Sequence, residues 1–315
     1  MNDLEHDTPS KERIRWSVET RLEFIEFRLF WEGRINRSDL VRHFGISVPQ
    51  ASTDLARYQE LAPGNLVYDR NAKAYFATNT FTPQIFEPSG ERYLAQLRLL
   101  SAGLTQQAES WLGHIPDYAT VQQPSLRQVT IGIVKAIVDA VRMHRSVQIK
   151  YQSASAIEPN WRWISPHGLA FDGTRWHARA WCHRHNDFRD FVLTRMLEIS
   201  ESRPSGIDPQ EDIEWHREVT LLLAPNPKLD KARRRTVEID YGMTNGRLEF
   251  CTRLSLSQYL EWQLALDVDP DQVDPKRHSL VLLNREEINF ERLQARSQAA
   301  SKGKQNSMPS DFQLS

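Results

Sequence analysis

The chain has 315 residues, 40% hydrophobic and 26% charged, which allows two or three domains with real cores and excludes a disordered chain. Two distant cysteines, Cys182 and Cys251, exclude a disulfide scaffold and fit a reducing cytoplasm; no apolar run reaches the ~18 residues of a membrane span, and the polar start MNDLEHDTPSKERIRW has no secretory pattern. The net charge of −1 is spread unevenly: residues 11–73 carry net +2, residues 144–200 carry net +3 with five of the ten histidines, and residues 201–300 carry net −4.

After a loose start over residues 1–10, Val18, Leu22, Ile25, Leu29 and Phe30 predict an amphipathic helix from about Ser17 to Trp31, stopped by Gly33. Ser38 is the expected cap of a short helix ending near Phe44, and Gly45 supplies a tight turn. Ser47 then caps a second helix with Pro49 in its first turn, running to about Leu61, with Leu55, Tyr58 and Leu61 turned inward. A short helix, a Gly turn and a capped helix make a helix-turn-helix. The following hairpin, LVYDRNAKAYFAT, with Arg70-Asn71-Ala72-Lys73 at its tip, reads as a wing.

Residues 83–143 are expected to be a helical connector. Glu91–Leu100 and the strongly apolar Val129–Met143 are its helices, and the stretch 102–125 between them lacks periodicity. Short strands over 146–199, broken at Asp172-Gly173 and Asn186-Asp187, suggest a small β-barrel. From Trp215 a strand–helix–strand–helix–strand–helix order suggests a small α+β domain, and residues 299–315 read as a disordered tail. The fold class is therefore α+β. Its segments are a winged helix-turn-helix over 11–82, the connector over 83–143, the barrel over 144–202, an extension and dimerisation domain over 213–298, and the tail.

Chemistry concentrates in two places. At the start of the second helix of the helix-turn-helix, Ser47, Gln50, Ser52 and Thr53 are side chains suited to base edges or phosphates, with Arg57 further along and Arg70 and Lys73 on the wing. In the β-block, alternation puts Arg175, His177, Arg179 and Trp181 on one face of a strand, away from Ala178, Ala180 and Cys182. With Tyr151, Ser153, Arg189 and Arg195 from neighbouring strands, this face is expected to gather into an anion-seeking surface for a phosphate-bearing or nucleotide-like ligand. Cys182, His183 and His185 have no second ligand pair, so no metal site is expected. No nucleophile, phosphate-loop or paired-carboxylate motif points to an enzyme or a cofactor. The run Lys231 to Arg235 reads as a solvated helix face.

RWHARAWC, FRDFVLTRM and LAPNPKL…RRRTVEIDYGM resemble the WYL-domain transcription regulators, in particular the BrxR/CapW-type branch tied to bacterial phage-defence genes. The family's name-giving Trp-Tyr-Leu stands here as Trp176-His177-Ala178. The resemblance implies an Sm/SH3-like barrel and a cytoplasmic, ligand-responsive homodimer that reads an inverted repeat in double-stranded DNA, most often as a repressor. By position it makes Tyr151, Ser153, His177, Arg189 and Arg195 the pocket, for a nucleotide or single-stranded nucleic acid. An activator of the same build, or an effector that binds single strands through the barrel, are the alternatives.

Overall fold

A computed structural model of the chain describes residues 10–117 and 128–306. They form two compact units, one within Met1–Ser125 and one within Leu126–Ser315.

The first unit begins with helix α1 (Ser10–Glu32), so Ser10 of the expected loose start is already helical; residues 1–9 lie outside the described residues. Gly33 ends α1 with φ 70°, a left-handed conformation that glycine adopts without strain. A two-residue strand β1 (Arg34–Ile35) follows, then α2 (Arg37–Phe44), α3 (Val48–Leu61), β2 (Leu66–Asp69) and β3 (Ala74–Ala77), with sheet order β1-β3-β2. The cap of α2 is Asn36 rather than the expected Ser38. Its side chain accepts from the Asp39 N–H while Asp39 accepts from the Asn36 N–H, a reciprocal box that Ser38 has no partner for. Gly45 (φ 65°) donates to the Val41 carbonyl and turns the chain into α3, whose cap is Ser47.

Leu22, Ile25 and Leu29 of α1 pack on Ile35, Leu40, Leu55, Tyr58 and Leu66, making a three-helix core under the wing. Leu61 does not join it: at 55% exposed it sits on the outer face of the last turn of α3. A second cluster packs Phe27 of α1 against Leu97 of α4 (Gly90–Ser101) and Leu112. The chain leaving the wing is fastened by Glu26. This fully buried carboxylate accepts from the backbone N–H groups of Gln84, Ile85 and Phe86 at 2.8, 2.6 and 2.9 Å and from the Tyr58 hydroxyl at 2.9 Å.

The second unit opens with α5 (Ile131–Arg142), whose Ile133, Ile137 and Ala140 cover one face of a five-stranded antiparallel sheet. Its strands are β4 (Arg145–Tyr151), β5 (Asn160–Phe171), β6 (Trp176–Cys182), β7 (Asp187–Val192) and β8 (Met196–Pro204), in the order β7-β6-β5-β4-β8. β8 is a strand beyond those expected. Among the described residues no ladder joins β7 to β8, so the expected closed barrel is not found; the two strands are the edges of an open sheet.

Then come α6 (Ile213–His216), β9 (Glu218–Pro225), α7 (Lys231–Asp240), β10 (Leu248–Arg253), α8 (Leu254–Gln263), β11 (Leu280–Leu282) and α9 (Arg285–Asn306). Strands pair as β10-β9-β11, and Leu221 and Leu223 of β9 centre a core with Val237, Leu266, Leu280 and Leu282. α9 continues to Asn306, so the first part of the expected tail is helical; residues 307–315 lie outside the described residues. The basic run on α7 is exposed, with Arg233 paired to Asp230 and Arg235 to Glu238. Among the described residues no helix is long and apolar enough to cross a membrane.

Candidate functional site

In the first unit, the residues expected to read DNA do assemble around the start of α3. The Ser47 hydroxyl accepts from the Gln50 N–H at 3.3 Å. Ser52 and Thr53 donate to the Val48 and Pro49 carbonyls at 3.0 and 3.1 Å. Ser47, Thr53 and Arg57 are exposed, and Arg70 and Lys73 are exposed at the tip of the wing, where Lys73 has φ 51°. Gln50 is oriented from below. Its Nε2 donates to Asp54 at 3.0 Å, and Asp54 is buried and gripped by the Arg21 guanidinium at 2.6 and 3.2 Å. An ionised carboxylate only accepts, so the Gln50 carbonyl oxygen and its second N–H are left for another partner.

One residue absent from the sequence reading ties the parts together. Arg37, at the start of α2, donates to Ser52 of α3 at 2.9 Å and to the Tyr75 hydroxyl of the wing at 3.0 Å. Its guanidinium stands 5.2 and 5.5 Å from the ring centroids of Tyr68 and Tyr75, which are partners across β2 and β3. The tyrosines at facing register positions were the available signal.

In the second unit, the residues expected to form one anion-seeking surface are divided between the two faces of the sheet. Ala178 and Ala180 of β6 face α5, and the register Ala180↔Arg189 puts Arg189 on that same face. Tyr151 lies there too, in the core with Phe191. The opposite face carries His177 and Arg179, and the register Arg179↔Asp190 brings a carboxylate beside them. Arg175 sits at the β5–β6 turn, 3.4 Å from Asp172. Ser153 and Arg195 lie on adjacent segments, linked by the Gln152 N–H donating to the Arg195 carbonyl at 3.1 Å.

The expected solvent-facing row of His177 and Arg179 is buried, at 2% and 4% exposure. The cause is α6 and α8, which lie over it. Arg179 donates to both oxygens of Asp212 at 2.7 and 2.9 Å and to Glu214 at 3.1 Å, so its fork is occupied by carboxylates. Burial pulls the Arg179 pKa down, but these bonds and the charge of Asp190 outweigh it and hold it above the usual arginine range. Burial likewise opposes ionisation of Asp212, yet Arg179 and His167, the latter at 2.9 Å, bring its pKa down to about 2. His177 Nε2 lies 2.8 Å from Asp172, with the ring against Tyr259 at 5.0 Å. The Tyr259 hydroxyl donates to Asp190 at 3.0 Å. This face is a brace between the sheet and the C-terminal helices.

Positive charge without matching carboxylates lies elsewhere, at the end of the sheet where β4 and β5 meet the β6–β7 turn. Arg162, 8% exposed, stands 5.2 Å over the Tyr151 ring and donates to Asn160, which also accepts from Arg184 at 3.4 Å. Burial first, then repulsion from Arg184 and Arg189, holds the Arg162 pKa below the usual arginine range, and its Nε has no hydrogen-bond partner. Arg189 pairs with Asp187 at 2.7 Å, both side chains half exposed. Arg162 and Arg184 escaped the sequence reading because Trp161 and Trp163 drew attention to the other face of β5.

A winged helix carrying polar side chains at the start of its second turn-helix, followed by an α5-backed antiparallel sheet and an α+β extension, defines a winged-helix transcription regulator. Family models agree segment by segment: the BrxR transcriptional regulator winged helix-turn-helix domain matches residues 17–99, the WYL domain 132–201, and the BrxR C-terminal dimerization domain 218–288. The DNA-binding transcriptional repressor CapW of Stenotrophomonas maltophilia is 40% identical over 285 residues, 90% of this chain and 94% of its own. CapW of Escherichia coli (strain KTE188) is 37% identical over 286 residues, covering 91% and 95%. CapW of Pseudomonas aeruginosa is 40% identical over 279 residues, covering 88% and 93%. The chain belongs to the BrxR/CapW family of WYL-domain regulators.

Proposed function

We propose that this protein is a sequence-specific, homodimeric DNA-binding repressor that acts in the cytoplasm on a phage-defence gene cluster and responds to a phosphate-bearing, nucleotide-like ligand through its WYL sheet. The observation that carries the DNA reading is the start of α3, where Ser47, Thr53 and an oriented Gln50 are presented beside a wing with Arg70 and Lys73 at its tip. Ser52 is shared with Arg37 and serves to hold the wing as much as to meet the duplex. Arg57 supplies a backbone contact, which positions without reading sequence. The dimerization-domain match over 218–288 supports a two-fold assembly, and two-fold protein symmetry reads an inverted repeat.

For the ligand, the supporting observation is the unpaired cation density around Arg162, Arg184 and Arg189 beside Tyr151, with Ser153 and Arg195 on the adjoining segments. Arg179 and His177 brace the sheet instead of meeting the ligand. A ligand releases DNA to the extent that it binds the DNA-incompetent arrangement better. Footprinting on DNA upstream of the protein's own gene tests the proposal. A protected inverted repeat, with transcription rising when the protein is deleted, is the expected result; length-dependent binding blind to sequence would overturn it.

A further inference from the structure

Between the edge strand β7 and helices α8 and α9 lies a cleft of about 750 Å³, a size suited to a small organic ligand. Its walls are aromatic: Phe188 from β7, and Tyr259 and Trp262 from α8, the last two edge-on at 5.6 Å. Trp262 is 57% exposed, a large apolar side chain that the fold leaves uncovered at the rim. The depth of the cleft is acidic, with Asp190, Asp212 and Glu214, and there Asp190 Oδ1 is buried without a hydrogen-bond donor, 3.5 Å from Arg179. The mouth is basic, with His185 and Arg189 on the sheet side and Arg296 on α9. His185 adjoins Arg184 in the turn next to Arg162, so the mouth of the cleft and the cation-rich end of the sheet are continuous.

A bare phosphate is repelled by the acidic depth, and a purely apolar ligand leaves Asp190 unsatisfied. A molecule with an aromatic amine at one end and an anion at the other satisfies both. The geometry points to this cleft as a nucleotide site: the base stacks on Trp262, its exocyclic amino group donates to Asp190, and the phosphate rests among the cations at the mouth. The site deepens the ligand reading proposed above and rests on it. It adds residues of the C-terminal region to the pocket, so that an occupant touches the sheet and the helices at once. A base without an exocyclic amino group is disfavoured, because Asp190 then stays without a donor.

Calorimetry on the full chain with adenosine 5′-monophosphate, uridine 5′-monophosphate, ribose 5-phosphate and a 5′-phosphorylated oligodeoxyadenylate tests this. The adenine nucleotide is expected to bind about tenfold or more tighter than the uracil one. Trp262→Ala should weaken it by about tenfold, within the range of base–aromatic stacking, and leave ribose 5-phosphate unchanged. Because Trp262 is mostly exposed, an unaltered unfolding temperature accompanies that loss. An oligonucleotide more than tenfold tighter than the mononucleotide assigns the occupant to a strand end, and equal affinity assigns it to a free nucleotide. If all the phosphates bind alike and Trp262→Ala changes nothing, the cleft inference falls while the cationic sensor stands; if none binds, both fall.

Discussion

Replacing Arg179 with methionine keeps the length of the side chain and removes only its charge and donors. In the wild type this guanidinium makes two bonds to Asp212 and one to Glu214 and lies 3.5 Å from Asp190. Its loss leaves three carboxylates facing one another. Removing one partner of a buried pair costs about 3–5 kcal/mol. The lower end applies, because Asp212 keeps His167 and the Trp215 N–H at 3.1 Å. For a unit of this size, about 3 kcal/mol lowers the unfolding temperature by roughly 6–12 °C, measurable by calorimetry or circular dichroism. Acid supplies a second reading. With Asp212 at about 2 when folded and about 3.9 when unfolded, its depressed pKa contributes about 2–3 kcal/mol. That contribution is complete above pH ~4 and is lost as pH falls through the folded value. The variant lacks the depression, so its deficit should narrow below pH ~4. A loss of less than about 2 °C at neutral pH, or a deficit that does not narrow in acid, would falsify the brace and return Arg179 to the ligand.

Gln50→Ala and Thr53→Ala are each expected to weaken operator binding by about 1–3 kcal/mol in a mobility shift while non-specific binding stays unchanged; loss of both kinds of binding together would mean a folding defect. Arg57→Ala and Lys73→Ala should weaken binding to all sequences alike and reduce the slope of affinity against salt by about one phosphate contact each; an unchanged slope would place them off the duplex. Glu26→Ala deprives three backbone N–H groups and the Tyr58 hydroxyl of their acceptor. At about 1–3 kcal/mol for each buried group left unsatisfied, urea unfolding should show a loss of 3 kcal/mol or more, and Glu26→Gln should recover part of it. A loss below about 1 kcal/mol would show that solvent reaches this acceptor.

The reading head was legible in the sequence because its determinants are local. Gly45, Ser47 and Pro49 fix the turn and the start of α3 within five residues, and the hairpin tip is bounded by β-prone runs. Asn36 escaped because a cap depends on which side chain reaches back, and Ser38 competes with it on composition alone. The WYL sheet was legible as strands but not as a surface. Alternation divides β6 into two faces correctly, yet it does not tell which is covered. Both are: α5 covers Ala178 and Ala180, and Asp212, 33 residues from Arg179, closes over the other. Arg189 was assigned to the wrong company for the same reason, since its face follows from the cross-strand register with Ala180. Local periodicity carries no information about that pairing.

Arg37 has a mechanical implication. By holding Ser52 and the wing tyrosines with one planar group, it welds helix and hairpin into a single stiff tool, whose grip does not flex to suit a badly spaced half-site. Tolerance for operator geometry, and any switching by a signal, must then be absorbed outside this head, so that a changed signal tilts or parts two rigid readers instead of softening either one.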